Sequence, residues 1–146
     1  MTGNGRTEIQ QRLQIIQVNL ARAYKAIQSL CNFQHDEKID ISLVQEPYTL
    51  KNKVIGFPIK HKIVMCNIEP KTAIIVHTEN ISVFPVHVQP KLVAVKVNTG
   101  NREILLRNCY CPPNEGINCE ISEIERIIQT FSCEEILIAG DFNSKE

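Results

Sequence analysis

The feature that most constrains this chain is a train of short apolar runs, each closed by polar residues or proline. Runs of this length, bounded by turn formers, read as strands rather than helices. Residues 13–20 (LQIIQVNL) and 39–44 (IDISLV) are the first two. Pro47 stops the second, because proline has no amide proton to give to a ladder. Further β-rich runs follow at about 62–66, 73–77, 81–86, 92–97 and 103–109. In the run at 92–97, Val93, Val95 and Val97 alternate with the Lys96 and Asn98 face. That is the pattern of a strand with one wet face, and it predicts an antiparallel meander across 54–106. Residues 135–139 (EILIA) form a last buried strand, out of which Gly140-Asp141-Phe142-Asn143 turns.

Two stretches carry the helical period instead. Ala23, Ala26, Ile27 and Leu30 recur on one helix face, and the pattern fades by His35-Asp36-Glu37. After the break at Pro112-Pro113-Asn114, Ile121, Ile124, Ile127, Ile128 and Phe131 mark a second amphipathic helix. Glu120, Glu123 and Glu125 suit its early turns. The fold class expected is therefore α/β in the α+β sense. A length of 146 residues with 43% hydrophobic content suits one domain, over 13–146, preceded by a polar, disordered leader at 1–12.

Charge is balanced at 16 basic and 16 acidic residues, so composition neither supports nor excludes a nucleic-acid partner. No apolar stretch is long enough for a membrane span, and no secretory signal core is present. The six cysteines include no Cys-x-x-Cys pair and read as free intracellular thiols rather than zinc ligands.

Several polar residues stand at strand ends, where a rigid scaffold meets free loops: Asn19, Glu46, Asp141 and Asn143. Two acids so far apart in sequence can converge only through the fold. Brought together, they suit a hard cation such as Mg²⁺, which takes one or two carboxylates and completes its shell with water and phosphate. Taken singly, an acid after a strand is most often a solvated turn residue.

Gln17-Val18-Asn19, Gln45-Glu46-Pro47-Tyr48, Asn108-Cys109-Tyr110-Cys111-Pro112-Pro113 and Gly140-Asp141-Phe142-Asn143 occur in that order. In this, the chain resembles the endonuclease/exonuclease/phosphatase family, and within it the endonucleases of non-LTR (LINE-like) retrotransposons of the arthropod type. Ile55-Gly56-Phe57 and the segment at 71–76 (KTAIIV) are similar to that group as well. The resemblance implies the N-terminal half of a four-layer α/β/β/α sandwich, mainly antiparallel, with flanking helices. It implies Glu46 as the metal ligand, with Mg²⁺ or alternatively Mn²⁺ as the ion. Asn19 would orient the phosphate or metal shell, Tyr110 would stabilise the transition state, Asp141 would orient or deprotonate water, and Asn143 would hold the phosphate. The implied reaction is hydrolysis of a DNA phosphodiester, a nick that primes reverse transcription, and the implied location is the nucleus.

The remaining candidates read as structural. Tyr48 packs at the rim, and His35, His61, His77 and His87 match no motif of the family. Lys51 and Lys53 form a small basic loop, and Arg22 and Lys25 belong to a solvated helix face. The family's Ser-Asp-His motif does not occur in these 146 residues. The expectation is a truncated domain, inactive by itself, whose second sheet would come from the missing half. That would leave an apolar sheet face open to self-association. The alternatives are a non-catalytic nucleic-acid- or protein-binding remnant of a transposon, and a phosphatase of the same fold.

Overall fold

The computed structural model describes residues 13–100, 102–111 and 135–142, with Asp141 and Phe142 described as backbone only. In chain order the elements are β1 (Ile15–Asn19), α1 (Tyr24–Glu37), β2 (Ile41–Gln45), β3 (Thr49–Leu50), β4 (Lys53–Val54) and β5 (Lys62–Met65). They continue with β6 (Thr72–Val76), β7 (Ser82–Gln89), β8 (Leu92–Asn98), β9 (Glu103–Cys111) and β10 (Glu135–Phe142). Among the described residues they form two four-stranded sheets, ordered β1-β2-β6-β5 and β10-β9-β8-β7, and a small β3-β4 hairpin. The hairpin turns through Lys51 and Asn52, both at positive φ, the geometry of the tight turns that match strand twist.

The two sheets pack face to face. Ile41, Leu43, Ile74 and Val76 of the first meet Val93, Val95, Val97, Ile104 and Leu106 of the second in one buried cluster. The two-residue strand period puts these side chains inward. On the outer face of the first sheet, Val44, Ala73 and Ile75 pack against Ile27 and Leu30 of α1. That helix begins at Ala23 without a side-chain cap and ends at Lys38, whose left-handed backbone returns its N–H to the Gln34 carbonyl. Packing of its apolar face, rather than capping, holds it.

The α+β class and the sandwich hold, as do the strands expected at 62–66, 73–77, 92–97 and 135–139, within a few residues. Two expectations need correction. The meander is antiparallel where its strands pair, but it is divided: β5 and β6 lie in the first sheet, β7, β8 and β9 in the second. The β1–β2 and β9–β10 pairs are parallel. The second sheet is also not lacking, since its strands come from this chain and bury the inner face of the first. The open face inferred for self-association is thus covered. Exposed apolar side chains lie elsewhere, at scattered positions such as Phe33, Ile59 and Phe84 and in a run on β10 at Ile136, Leu137 and Ile138. The second helix and the leader expected at 1–12 fall outside the described residues.

Candidate functional site

Read along their inward faces, three strands change character in the same direction. β1 runs Ile15, Gln17, Asn19; β2 runs Ile41, Leu43, Gln45; β9 runs Ile104, Leu106, Asn108, Tyr110. Each begins in the apolar core and passes through a side-chain amide. Beyond that amide stand Asn19, Glu46 and Tyr110, so the polar end of the sandwich is one place.

The first half of the site is zipped together by backbone. Parallel pairing sets Asn19 beside Gln45. The Leu20 amide donates to the Gln45 carbonyl at 2.9 Å, and the Arg22 amide to the Glu46 carbonyl at 2.8 Å. The Asn19 amide links its neighbours here. Its Oδ1 accepts from the Ala21 amide at 2.7 Å, and its Nδ2 approaches Glu46 Oε2 at 3.4 Å. Glu46 itself is half-buried and sits at φ 51°, a left-handed conformation costly for a residue with a Cβ. Its amide donates to the Lys71 carbonyl at 2.8 Å, which holds that conformation. Strain of this kind persists where the surroundings over-determine it, and functional sites are where it gathers.

The second half comes from the other sheet. Tyr110 is buried, with its amide bonded to the Lys91 carbonyl at 2.9 Å. It pairs in register with Asp141 on the parallel strand β10. Asn143 lies outside the described residues. The structure therefore joins Asn19 to Glu46 directly and Tyr110 to Asp141 by register.

Between the halves is a network the sequence reading quoted only as motif letters. Asn108 Nδ2 donates across the sandwich to the carbonyls of Val44 and Ala73, at 3.0 and 2.8 Å. Gln45 Nε2 donates to Asn108 Oδ1. Gln17 Nε2 reaches Gln45 Oε1 at 3.3 Å and the Gly140 carbonyl at 2.8 Å. The signal that could have found these residues is their parity: each falls on the inward face of its strand, and for the buried Gln45 and Asn108 an uncompensated amide there would be costly.

As a cation site, this end offers oxygen. Glu46 brings a carboxylate and Asn19 an amide beside it. Among the described residues, no group of three or more His, Cys, Asp or Glu could hold a metal ion. This donor set fits an ion like Mg²⁺, which keeps several waters and shares its shell with phosphate, and does not fit a closed zinc site. Tyr48 packs edge-on against Tyr24 with ring centroids 5.5 Å apart, as a rim residue would. Arg22, Lys25, Lys51 and Lys53 are exposed.

Solved structures share this fold. The endonuclease domain of TRAS1, a telomere-specific non-LTR retrotransposon, superposes with a TM-score of 0.74 at 23% identity, over 92% of this chain and 61% of that one. The fold is that of the endonuclease/exonuclease/phosphatase family. A D. rerio TDP2 complexed with single-strand DNA product matches with a TM-score of 0.56 at 14% identity, over 92% of this chain and 62% of that one. An endonuclease/exonuclease/phosphatase family protein from Bacteroides thetaiotaomicron matches at 0.59 and 15% identity, over 90% and 63%. The chain thus spans about three fifths of the length of these endonuclease/exonuclease/phosphatase structures. In sequence, residues 104–146 match the endonuclease-reverse transcriptase model Exo_endo_phos_2 of the same family, a segment that contains Tyr110, Asp141 and Asn143. Among curated protein sequences none matches. The resemblance to retrotransposon endonucleases read from the four motifs is borne out.

Proposed function

We propose that this chain carries the metal-holding part of a phosphodiesterase site that cuts DNA. The observation that carries the reading is the Asn19–Glu46 pair at 3.4 Å, set at the same end of the sandwich as the registered Tyr110 and Asp141. Glu46 would hold a divalent ion, Mg²⁺ or Mn²⁺, with Asn19 fixing the carboxylate's orientation and offering its amide to phosphate. The ion, when bound, would offset negative charge on the phosphate oxygens. Tyr110 would donate its hydroxyl hydrogen to the phosphoryl oxygen as charge grows there. Asp141 would orient the attacking water and take its proton, and Asn143 would hold the phosphate. A nick of this kind would leave the 3′ hydroxyl that primes reverse transcription in retrotransposons, and a protein making it would work in the nucleus.

The 146 residues by themselves are expected not to nick. The Ser-Asp-His histidine that the resemblance implies is not among them, and groups that act as a unit lose orders of magnitude when one is absent. The test combines Mn²⁺ binding, followed by electron paramagnetic resonance, with plasmid nicking in Mg²⁺ and in EDTA. Glu46→Ala and Asp141→Ala serve as controls. Mn²⁺ bound by the parent and lost in Glu46→Ala supports the site. Mg²⁺-dependent nicking by the parent alone supports it further and overturns the expected inactivity. Folded protein that neither binds Mn²⁺ nor nicks would leave the non-catalytic binding module as the reading.

A further inference from the structure

Glu46 and Asp141 belong to different sheets, and apolar packing alone sets their separation poorly. A hydrophobic interface is non-directional, so two sheets in contact through Ile, Leu and Val slide at small cost. A site built across such an interface needs directional bonds between the sheets at the end where it lies. Gln17, Gln45 and Asn108 supply them. Gln17 stands two residues before Asn19, Gln45 one before Glu46, and Asn108 two before Tyr110, while the Gly140 carbonyl immediately precedes Asp141.

The orientations in the network are forced. Only the NH₂ of Asn108 can donate to the two carbonyls of Val44 and Ala73, so its Oδ1 faces Gln45. Gln45 must then present its own NH₂ to Asn108, which turns its Oε1 toward Gln17. Gln17 completes the path by donating to the Gly140 carbonyl. Gln45 and Asn108 are fully buried, so water does not compete for these bonds.

We propose that Gln17, Gln45 and Asn108 are positioning residues, whose linked amides hold the strand end bearing Glu46 in fixed register with the strand ends bearing Tyr110 and Asp141. The proposal rests on the reading of Glu46 as the ion-holding carboxylate. The network touches neither ion nor substrate, and acts through the backbone on which the site residues are mounted.

The test uses Gln45→Met, which keeps length and bulk and removes both bonds, beside Ser42→Ala as a control. Ser42 is equally buried on the same strand but at its other end, where its Oγ bonds His77 Nε2 at 2.7 Å. Two readouts are taken: Mn²⁺ affinity, and the backbone amide NMR signals of Glu46 and Asp141. Gln45→Met is expected to weaken Mn²⁺ binding about tenfold, the scale of lost outer support at metal sites, and to shift both amide signals. Ser42→Ala is expected to lower Tm while leaving affinity and signals in place. If Gln45→Met keeps the parent's affinity and signals, or Ser42→Ala weakens binding as much, the positioning role is overturned. Should Gln45→Met not fold, Gln17→Met replaces it, since Gln17 is exposed; a parent-like Asp141 signal in that variant equally overturns the proposal. Glu46→Gln separates the two claims: if Mn²⁺ affinity survives it, the metal reading fails, and the amide signals alone decide the network.

Discussion

Gly140 lies so close to Cys109 that a Cβ built on it would stand 2.4 Å from the Cys109 carbonyl oxygen and 2.9 Å from the Cys109 amide nitrogen. The obstruction is backbone, which cannot swing aside as a side chain can. The glycine is therefore what lets β10 approach β9 at the residue just before Asp141. Gly140→Ala should cost on the order of 1–3 kcal/mol of stability, the range for forced overpacking. Urea unfolding would show this as a lower midpoint, and the Asp141 amide signal should move. A midpoint equal to the parent's would mean that β10 is not held this tightly.

The left-handed backbone of Glu46 leads to a second expectation. Glycine adopts that conformation without steric cost, whereas alanine and glutamate pay it, and the greater unfolded freedom of glycine offsets part of the gain. Glu46→Gly should therefore be more stable than Glu46→Ala by about 0.5–1 kcal/mol. Both should lose divalent-ion binding. Equal unfolding midpoints for the two would show that the strain is not there.

At the other end of β2, His77 is buried between Ser42 and His61, with its Nδ1 3.1 Å from His61 Nδ1. Burial, with the neighbouring imidazole as a second cause, lowers its pKa from 6.5 to about 4. Burial also lowers that of His61, with Lys60 adding to the effect. The unfolded chain thus binds protons more readily than the folded one between these values. Stability should be full above about pH 6.5, fall as pH drops, and level off below about 4, a loss on the order of 3 kcal/mol. Urea titrations at several pH values test this, with His77→Gln expected to flatten the slope. A parent profile no steeper than that of the variant would contradict it.

The ion pair between Arg102 and Glu135 ties the beginnings of β9 and β10 at 2.6 Å, yet both side chains are nearly half exposed. Solvent screening at such a site leaves under about 1 kcal/mol. Glu135→Gln should shift the unfolding midpoint little, and the shift should vanish in molar salt. A loss comparable to that of Gly140→Ala would show that this pair, not close backbone packing, holds β10 in place.

Much of the fold was legible in residue order because local patterns carry it. The alternation of Val93, Val95 and Val97 does mark an inward face, the helix does follow Ala26, Ile27 and Leu30, and β2 ends before Pro47. What misled was the step from antiparallel neighbours to one continuous meander. A polar break between strands looks the same whether the chain turns back beside itself or crosses to another sheet, as it does between β6 and β7. Asn19 and Glu46 are each conspicuous at a strand end in the sequence, but that the two stand side by side is a finding of the structure. Gln17, Gln45 and Asn108 carry no such mark, since an amide side chain beside an apolar run looks like any solvated residue until its face is known.

The sequence by itself determined which segments are strands, which faces of them are apolar, and which residue types wait at their ends. Those properties follow from side-chain periodicity and backbone sterics over a few neighbouring residues. Only the tertiary structure decided that Gln17 would meet Gly140, 123 residues away, and that Asn108 would donate to two carbonyls of the facing sheet. Hydrophobic burial draws the sheets together without specifying their register. Which amides meet depends on where each crossing of the chain sets each strand, and no local pattern contains that.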